Sequence, residues 1–179
     1  PSLAVMQKEV VINDQLIRLA KHFSPGPLTY ILLLKKGSKI SKLVLNSKKQ
    51  IACRIPNNKT FLSVLKQSGV PIAAPSANLS NQVSTTRAID VQKEFGDKLP
   101  LILHSKKTSI GLESTVISLG STINILRPGA ITAQMISKVL NKRVFEKKHK
   151  GDVVAPGQFK KHYSPGIPVY LNKTKAKKD

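Results

Sequence analysis

With 179 residues, 40% of them hydrophobic, the chain is long enough to bury one α/β core, and 4% aromatics with no Trp predict a core of Ile, Val, Leu and Ala. The lone cysteine, Cys53, excludes a disulfide framework and fits a reducing cytoplasm; no apolar run nears the roughly 20 residues of a bilayer span, and no signal-peptide pattern opens the chain. Lys+Arg number 30 against 9 Asp+Glu, and this +21 attracts polyanions, yet with five arginines and few interleaved aromatics it is a poor composition for dedicated base reading.

In chain order, Asn13 or Asp14 is placed to cap a helix whose apolar face is Leu16, Ile17, Leu19, Ala20 and Phe23. Ser24-Pro25-Gly26-Pro27 ends it, because two prolines cannot continue a helix. Leu28 to Leu34 reads as a buried strand followed by a turn at Lys36-Gly37-Ser38, with Leu43 to Leu45 and Ile51 to Ile55 as further strand candidates. Asn58 is placed to cap a helix through Phe61, Leu62, Val64 and Leu65 that Gly69 closes. Residues 71–74 read as a strand, then a hydroxyl-rich loop leads to a helix over about 86–95 with Ala88, Ile89, Val91 and Phe95 as its stripe.

Leu101 to Leu103 is predicted to be a strand, and Thr115 to Leu119 with Ile123 to Leu126 a hairpin across Gly120-Ser121. Thr132 is placed as N-cap of a helix carrying Met135, Ile136, Val139 and Leu140. From Glu146 the composition changes to a polar break over 147–152 and a stretch dense in Pro and Gly over 155–168. The reading is a domain body over 1–145, a linker over 146–168 and the start of a truncated C-terminal domain over 169–179.

Three polar segments sit at the ends of apolar runs: Pro75-Ser76-Ala77-Asn78, Gly111-Leu112-Glu113-Ser114-Thr115 and Leu126-Arg127-Pro128-Gly129. Open α/β sheets bind small molecules at the carboxyl ends of their strands, so these loops predict one concave site for an oxygen-rich ligand. Cys53, inside the apolar run 51–55, reads as a buried small hydrophobe rather than a nucleophile.

The ordered set Pro25-Gly26-Pro27-Leu28-Thr29, Arg54-Ile55-Pro56, Gly69 to Ser80, Gly111 to Thr115 and Arg127-Pro128-Gly129 resembles the YrdC/Sua5 family of L-threonylcarbamoyladenylate synthases. Ala155 to Pro165 is similar to the interdomain linker of the longer, Sua5-type members. The resemblance implies an α/β fold, a twisted mixed sheet with flanking helices around a large cavity. It implies a reaction joining L-threonine, bicarbonate and ATP into threonylcarbamoyl-AMP and pyrophosphate, the first step of tRNA t6A modification. Such chemistry asks a protein to position reactants and neutralise phosphate charge. No His/Asp/Glu cluster marks a dedicated metal cage, so Mg2+ is expected to ride on the ATP phosphates.

By position, the resemblance implies threonine binding by Arg54, the backbone of Ala74 and the hydroxyl of Ser114, the arginine suiting a carboxylate bidentately. It implies nucleotide contacts at Gln50, Ser76, Ser84 and Arg127, with Asn78 organising the loop and His162-Tyr163 folding over the ATP pocket. Glu113 reads as a loop anchor. The sequence departs from the family pattern at Ser24 (usually Trp), Gln50 (Thr), Asn81 (Gly), Gln158 (Met) and Phe159 (Tyr). Counting back from Arg54, the family's opening strand and its basic phosphate-binding segment are expected before Pro1; Pro1 is not Met, and whether residue 1 is the natural start stays open at this point. Three readings stay open: a synthase domain inactive unless another polypeptide completes it, a non-functional split-gene remnant, and a tRNA- or dsRNA-binding module using the +21 charge.

Overall fold

Asn13 caps the helix over Asp14–Phe23 by accepting from the Leu16 amide, and the prolines at 25 and 27 release the chain into an extended strand, Leu28–Leu33. The computed structural model describes residues 1–46, 49–80, 82–146 and 172. Its strands are β1 (Leu28–Leu33), β2 (Gln50–Cys53), β3 (Thr115–Ser118), β4 (Ile123–Arg127) and β5 (Val144–Glu146). They form one twisted mixed sheet in the order β2-β1-β3-β4-β5. β1 runs antiparallel to β2 and parallel to β3; β3 and β4 form the predicted hairpin, and β5 lies parallel to β4.

Strand alternation divides the sheet into two faces. Leu28, Tyr30 and Leu32 share one core with Ile117, Ile123 and Ile125, packed against Leu16 and Leu19 of helix α2 (Asp14–Phe23) and Ile136 and Leu140 of helix α5 (Ala133–Leu140). Each such fully buried aliphatic side chain stabilises the fold by about 1.5–3 kcal/mol, so stability concentrates in this layer. Arg18 of α2 ties it further by donating to the carbonyls of Val139 and Leu140 at the end of α5. Ile31 and Val116 belong to a smaller cluster on the opposite face.

The remaining helices are α1 (Leu3–Glu9), α3 (Lys59–Ser68) and α4 (Ala88–Phe95). α3 begins at the predicted Asn58 cap and ends at Gly69, whose φ of 67° is the left-handed value that favours glycine there. α1 was not among the predicted elements. Ser2 caps it, and Leu3 and Met6 pack on the main core. β5 is likewise additional, held by pairing of Ile123 with Val144.

Three predicted strands are absent from the structure. Leu43 to Leu45 falls at a 3-10 turn over Lys42–Val44 that leaves Leu43 95% exposed. Residues 71–74 and 101–103 are non-regular, and Leu101 and Leu103 are exposed. The physical reason is common to all three: a short apolar run becomes a strand only when a neighbouring strand takes its backbone hydrogen bonds. Among the described residues none does so for these segments.

Candidate ligand-binding site

Local hydrogen bonding ties four of the sequence motifs together where β1 and β3 begin. The Gly26 amide donates to the Ile55 carbonyl at 2.9 Å, and the Thr115 amide to the Pro27 carbonyl at 2.9 Å. Gly26 has no room for a side chain, since an added Cβ would lie 2.3 Å from the Phe23 carbonyl oxygen. Arg127 Nε and Nη2 donate to the Ser114 carbonyl at 3.0 and 2.9 Å, and Nη2 also donates to Ser114 Oγ at 3.0 Å. The Thr29 and Ser114 hydroxyls lie 2.7 Å apart. Thr115 Oγ1 donates to the Ile131 carbonyl and accepts from its amide, while a Cβ on Gly129 would fall 2.5 Å from Glu113 O and Thr115 N. These glycines are present because backbone approaches them, not because a loop needs freedom.

Beside this junction lies a cavity of about 400 Å3, within the range of small-molecule sites. Its wall draws Arg54 and Cys53 from the end of β2, Thr29 and Val116 from the sheet, and Glu113, Ser114 and Arg127 from the junction. Pro71 to Ser76 supplies Ala74 and Ser76, while α1 and α3 close it with Met6, Phe61 and Leu65. Three loops from separated parts of the chain thus meet at one cavity, but not all at carboxyl strand ends as expected: residues 71–74, before Ser76, form no strand, and Glu113 and Ser114 lie at the amino end of β3. Arg54 is solvent-accessible, as a side chain lining an open cavity is, and desolvation nonetheless lowers its pKa, with Glu113 opposing that shift and Arg127 adding to it. A guanidinium in this state gains from an incoming anion. Burial pushes the Cys53 thiol up to about 11, so it stays protonated; expected as a buried small hydrophobe, it is half-buried, packing on the main core and lining the cavity.

The predicted site residues are not all gathered. Arg54, Ala74, Ser76, Ser114 and Arg127 line the cavity. Ser84 is not a lining residue; its hydroxyl donates to Glu113 Oε1 at 2.7 Å, and Glu113 Oε2 stands 3.8 Å from Arg127. Glu113 is therefore the loop anchor expected of it. Asn78 closes its own loop by donating to the carbonyls of Leu79 and Gln82 at 2.8 and 3.1 Å, and its Oδ1 is buried without a partner among the described residues. Gln50 stands at the far end of β2, opposite Leu33, where it closes a turn with Asn46 and does not line the cavity. His162 and Tyr163 lie outside the described residues.

Thr29 and Glu9 line the cavity although sequence reasoning assigned them nothing. Strand alternation held the signal for Thr29: with Leu28 and Tyr30 assigned to the core face, Thr29 must turn to the other. Glu9 accepts from Ser38 Oγ at 2.6 Å and the Lys39 amide at 3.0 Å, and the Ser38 hydrogen bond is the main reason its pKa is lowered. Nothing local in the sequence predicts that pairing.

Residues 2–129 match the Sua5/YciO/YrdC family model, described as telomere recombination, and residues 131–179 match the model described as threonylcarbamoyl-AMP synthase, C-terminal domain. The threonylcarbamoyl-AMP synthase of Pyrococcus abyssi is 37% identical over 174 residues, covering 94% of this chain and 50% of the relative. That of Bacillus subtilis is 37% identical over 159 residues, covering 86% and 45%. The chain spans about half the length of the curated relatives it matches. Among solved structures, P. abyssi Sua5 complexed with L-threonine superposes with a TM-score of 0.83 at 32% identity, covering 91% of this chain and 49% of that one. Escherichia coli YciO superposes at a TM-score of 0.67 and 22% identity, over 75% of this chain and 66% of that one, a likeness of fold.

Proposed function

This chain belongs to the Sua5/YciO/YrdC family, and on that footing we propose that its cavity binds L-threonine for the synthesis of threonylcarbamoyl-AMP. The observation that carries the reading is the meeting of Arg54, Ala74 and Ser114 at one cavity, the positions that the family resemblance assigns to threonine. Arg54 receives the carboxylate, its planar fork matching two oxygens. The backbone of Ala74 and the hydroxyl corner at Ser114 supply the short-range polar contacts.

The amine of threonine then adds to the carbon derived from bicarbonate, with loss of water, and the carbamate oxygen attacks the α-phosphorus of ATP as pyrophosphate leaves. The product is an activated intermediate for tRNA modification. Ser76 and Arg127 are the nucleotide-side residues of this proposal, with Ser84 acting through Glu113 and Asn78 shaping the loop between them. Gln50, at the opposite end of its strand, is left out of the site. His162 and Tyr163 stay in the proposal as nucleotide-side residues by family resemblance alone.

Mg2+ is proposed to arrive with the ATP phosphates. The carboxylates lining the cavity, Glu9 and Glu113, are both engaged by protein partners, Ser38 and Lys39 for one and Ser84 and Arg127 for the other. Neither stands ready as a metal ligand. Calorimetric titration with L-threonine tests the reading. Arg54→Ala is expected to weaken binding by about 2–4 kcal/mol, the cost of removing one partner from a desolvated ion pair. Unchanged affinity would refute the assignment.

A further inference from the structure

The hydroxyls of Thr29 and Ser114 are 2.7 Å apart, both buried, and both line the cavity. Two hydroxyls own two protons, and one of them makes the hydrogen bond between the pair. Arg127 Nη2, which can only donate, directs a proton at Ser114 Oγ from 3.0 Å, so neither hydroxyl proton can be given to it. If Thr29 donates to Ser114, the Ser114 proton is left over; if Ser114 donates to Thr29, the Thr29 proton is. Neither hydroxyl has a further partner among the described residues. In both arrangements one O–H remains at the cavity wall without an acceptor, and a buried donor left unmade is costly.

We infer that Thr29 is a ligand-recognition residue that acts with Ser114 as one unit, donating a single hydrogen bond to an acceptor oxygen of the bound molecule. The count of protons stands apart from the ligand's identity; that the acceptor is an oxygen of L-threonine rests on the function proposed above. An oxygen held here directs the ligand's amine elsewhere, which leaves the amine available to the incoming carbon. Thr29 thereby becomes a determinant of ligand orientation, not only a strand residue.

The test is titration of the chain with L-threonine and, separately, with acetate, read by calorimetry and by the 13Cβ resonances of residues 29 and 114. Thr29→Val keeps the side-chain shape and removes the hydroxyl; it is expected to weaken L-threonine binding about tenfold, and Thr29→Ser to recover it to within about threefold. A folded Thr29→Val chain that binds L-threonine as tightly as the unaltered one would overturn the inference and leave the proposed function standing. Should Thr29→Val not fold, the unaltered chain decides: L-threonine that binds without moving either resonance also overturns it. A chain that ignores L-threonine but binds acetate with shifts at both residues keeps the donor pair and sinks the proposed function. Binding of neither probe sinks both.

Discussion

Two regions of this molecule carry comparable apolar sequence and fare differently. Between Thr115 and Leu140, Val116, Ile117, Ile123, Ile125, Ile136 and Leu140 are all buried in the hairpin and in α5. Between Gly69 and Leu112, Val70, Leu79, Val83, Leu101, Leu103, Ile110 and Leu112 are all exposed, and no strand forms among the described residues. The first region pairs its backbone with β1 and β5 and sets its side chains against α2; the second contributes cavity wall through Ala74 and Ser76 without joining the sheet. Hydrophobicity alone does not make a core. The backbone donors and acceptors of a run need partners before its side chains can leave water.

The largest expected effect contrasts the two regions directly. Ile117→Ala, at a fully buried site, should destabilise the fold by about 2–5 kcal/mol in urea denaturation, whereas Leu103→Ala should stay within about 0.5 kcal/mol. Equal losses would show that 99–112 packs as firmly as the hairpin does.

Glycine substitutions sharpen the contrast. At Gly129 a methyl group would sit 2.5 Å from backbone atoms of Glu113 and Thr115, so Gly129→Ala should cost about 1–3 kcal/mol and disturb the junction that holds Ser114. At Gly111 the added group meets nothing within 4 Å and only the φ of 67° resists it, about 1–2 kcal/mol of local strain. Threonine titration separates the two: Gly129→Ala should lower affinity more than its stability loss predicts, and Gly111→Ala should not.

A smaller effect is the cap of α5. Thr132 Oγ1 accepts from the Met135 amide at 3.3 Å, and Thr132→Ala should cost about 1 kcal/mol, visible as a lowered denaturation midpoint with unchanged slope.

The smallest is a pH dependence in the wall that α1 contributes. Glu9 has a folded pKa below its ordinary 4.5, first because Ser38 donates to it. Such a carboxylate contributes stability that is whole above about pH 4.5 and is lost as pH falls through the lower folded value. Stability of the unaltered chain should therefore decline more steeply below that pH than stability of Ser38→Ala. Parallel curves would remove Ser38 as the cause.

The helix caps at Asn13, Asn58 and Thr132, the proline stop at 24–27 and the β3–β4 hairpin were legible because each depends on residues within a few positions of one another. The motifs that became the cavity wall were legible as polar segments beside apolar runs, although the run at 71–74 forms no strand. What escaped was pairing across distance. Gln50 opens β2 whereas Arg54 follows that strand's far end, and Ser84 reaches the cavity through Glu113, 29 residues away in sequence.

By itself, then, the sequence determined the type of most elements, the apolar faces of α2 and α5, and the family, since turn chemistry, periodicity and motif order are local properties. Only the tertiary structure decided that residues 71–74 and 101–103 stay out of the sheet and that Thr29 meets Ser114 across 85 positions. It also set which of the polar side chains face the cavity. Those outcomes turn on which strand finds a partner for its backbone hydrogen bonds, and that partner is fixed by the assembled sheet, not by neighbours in the chain.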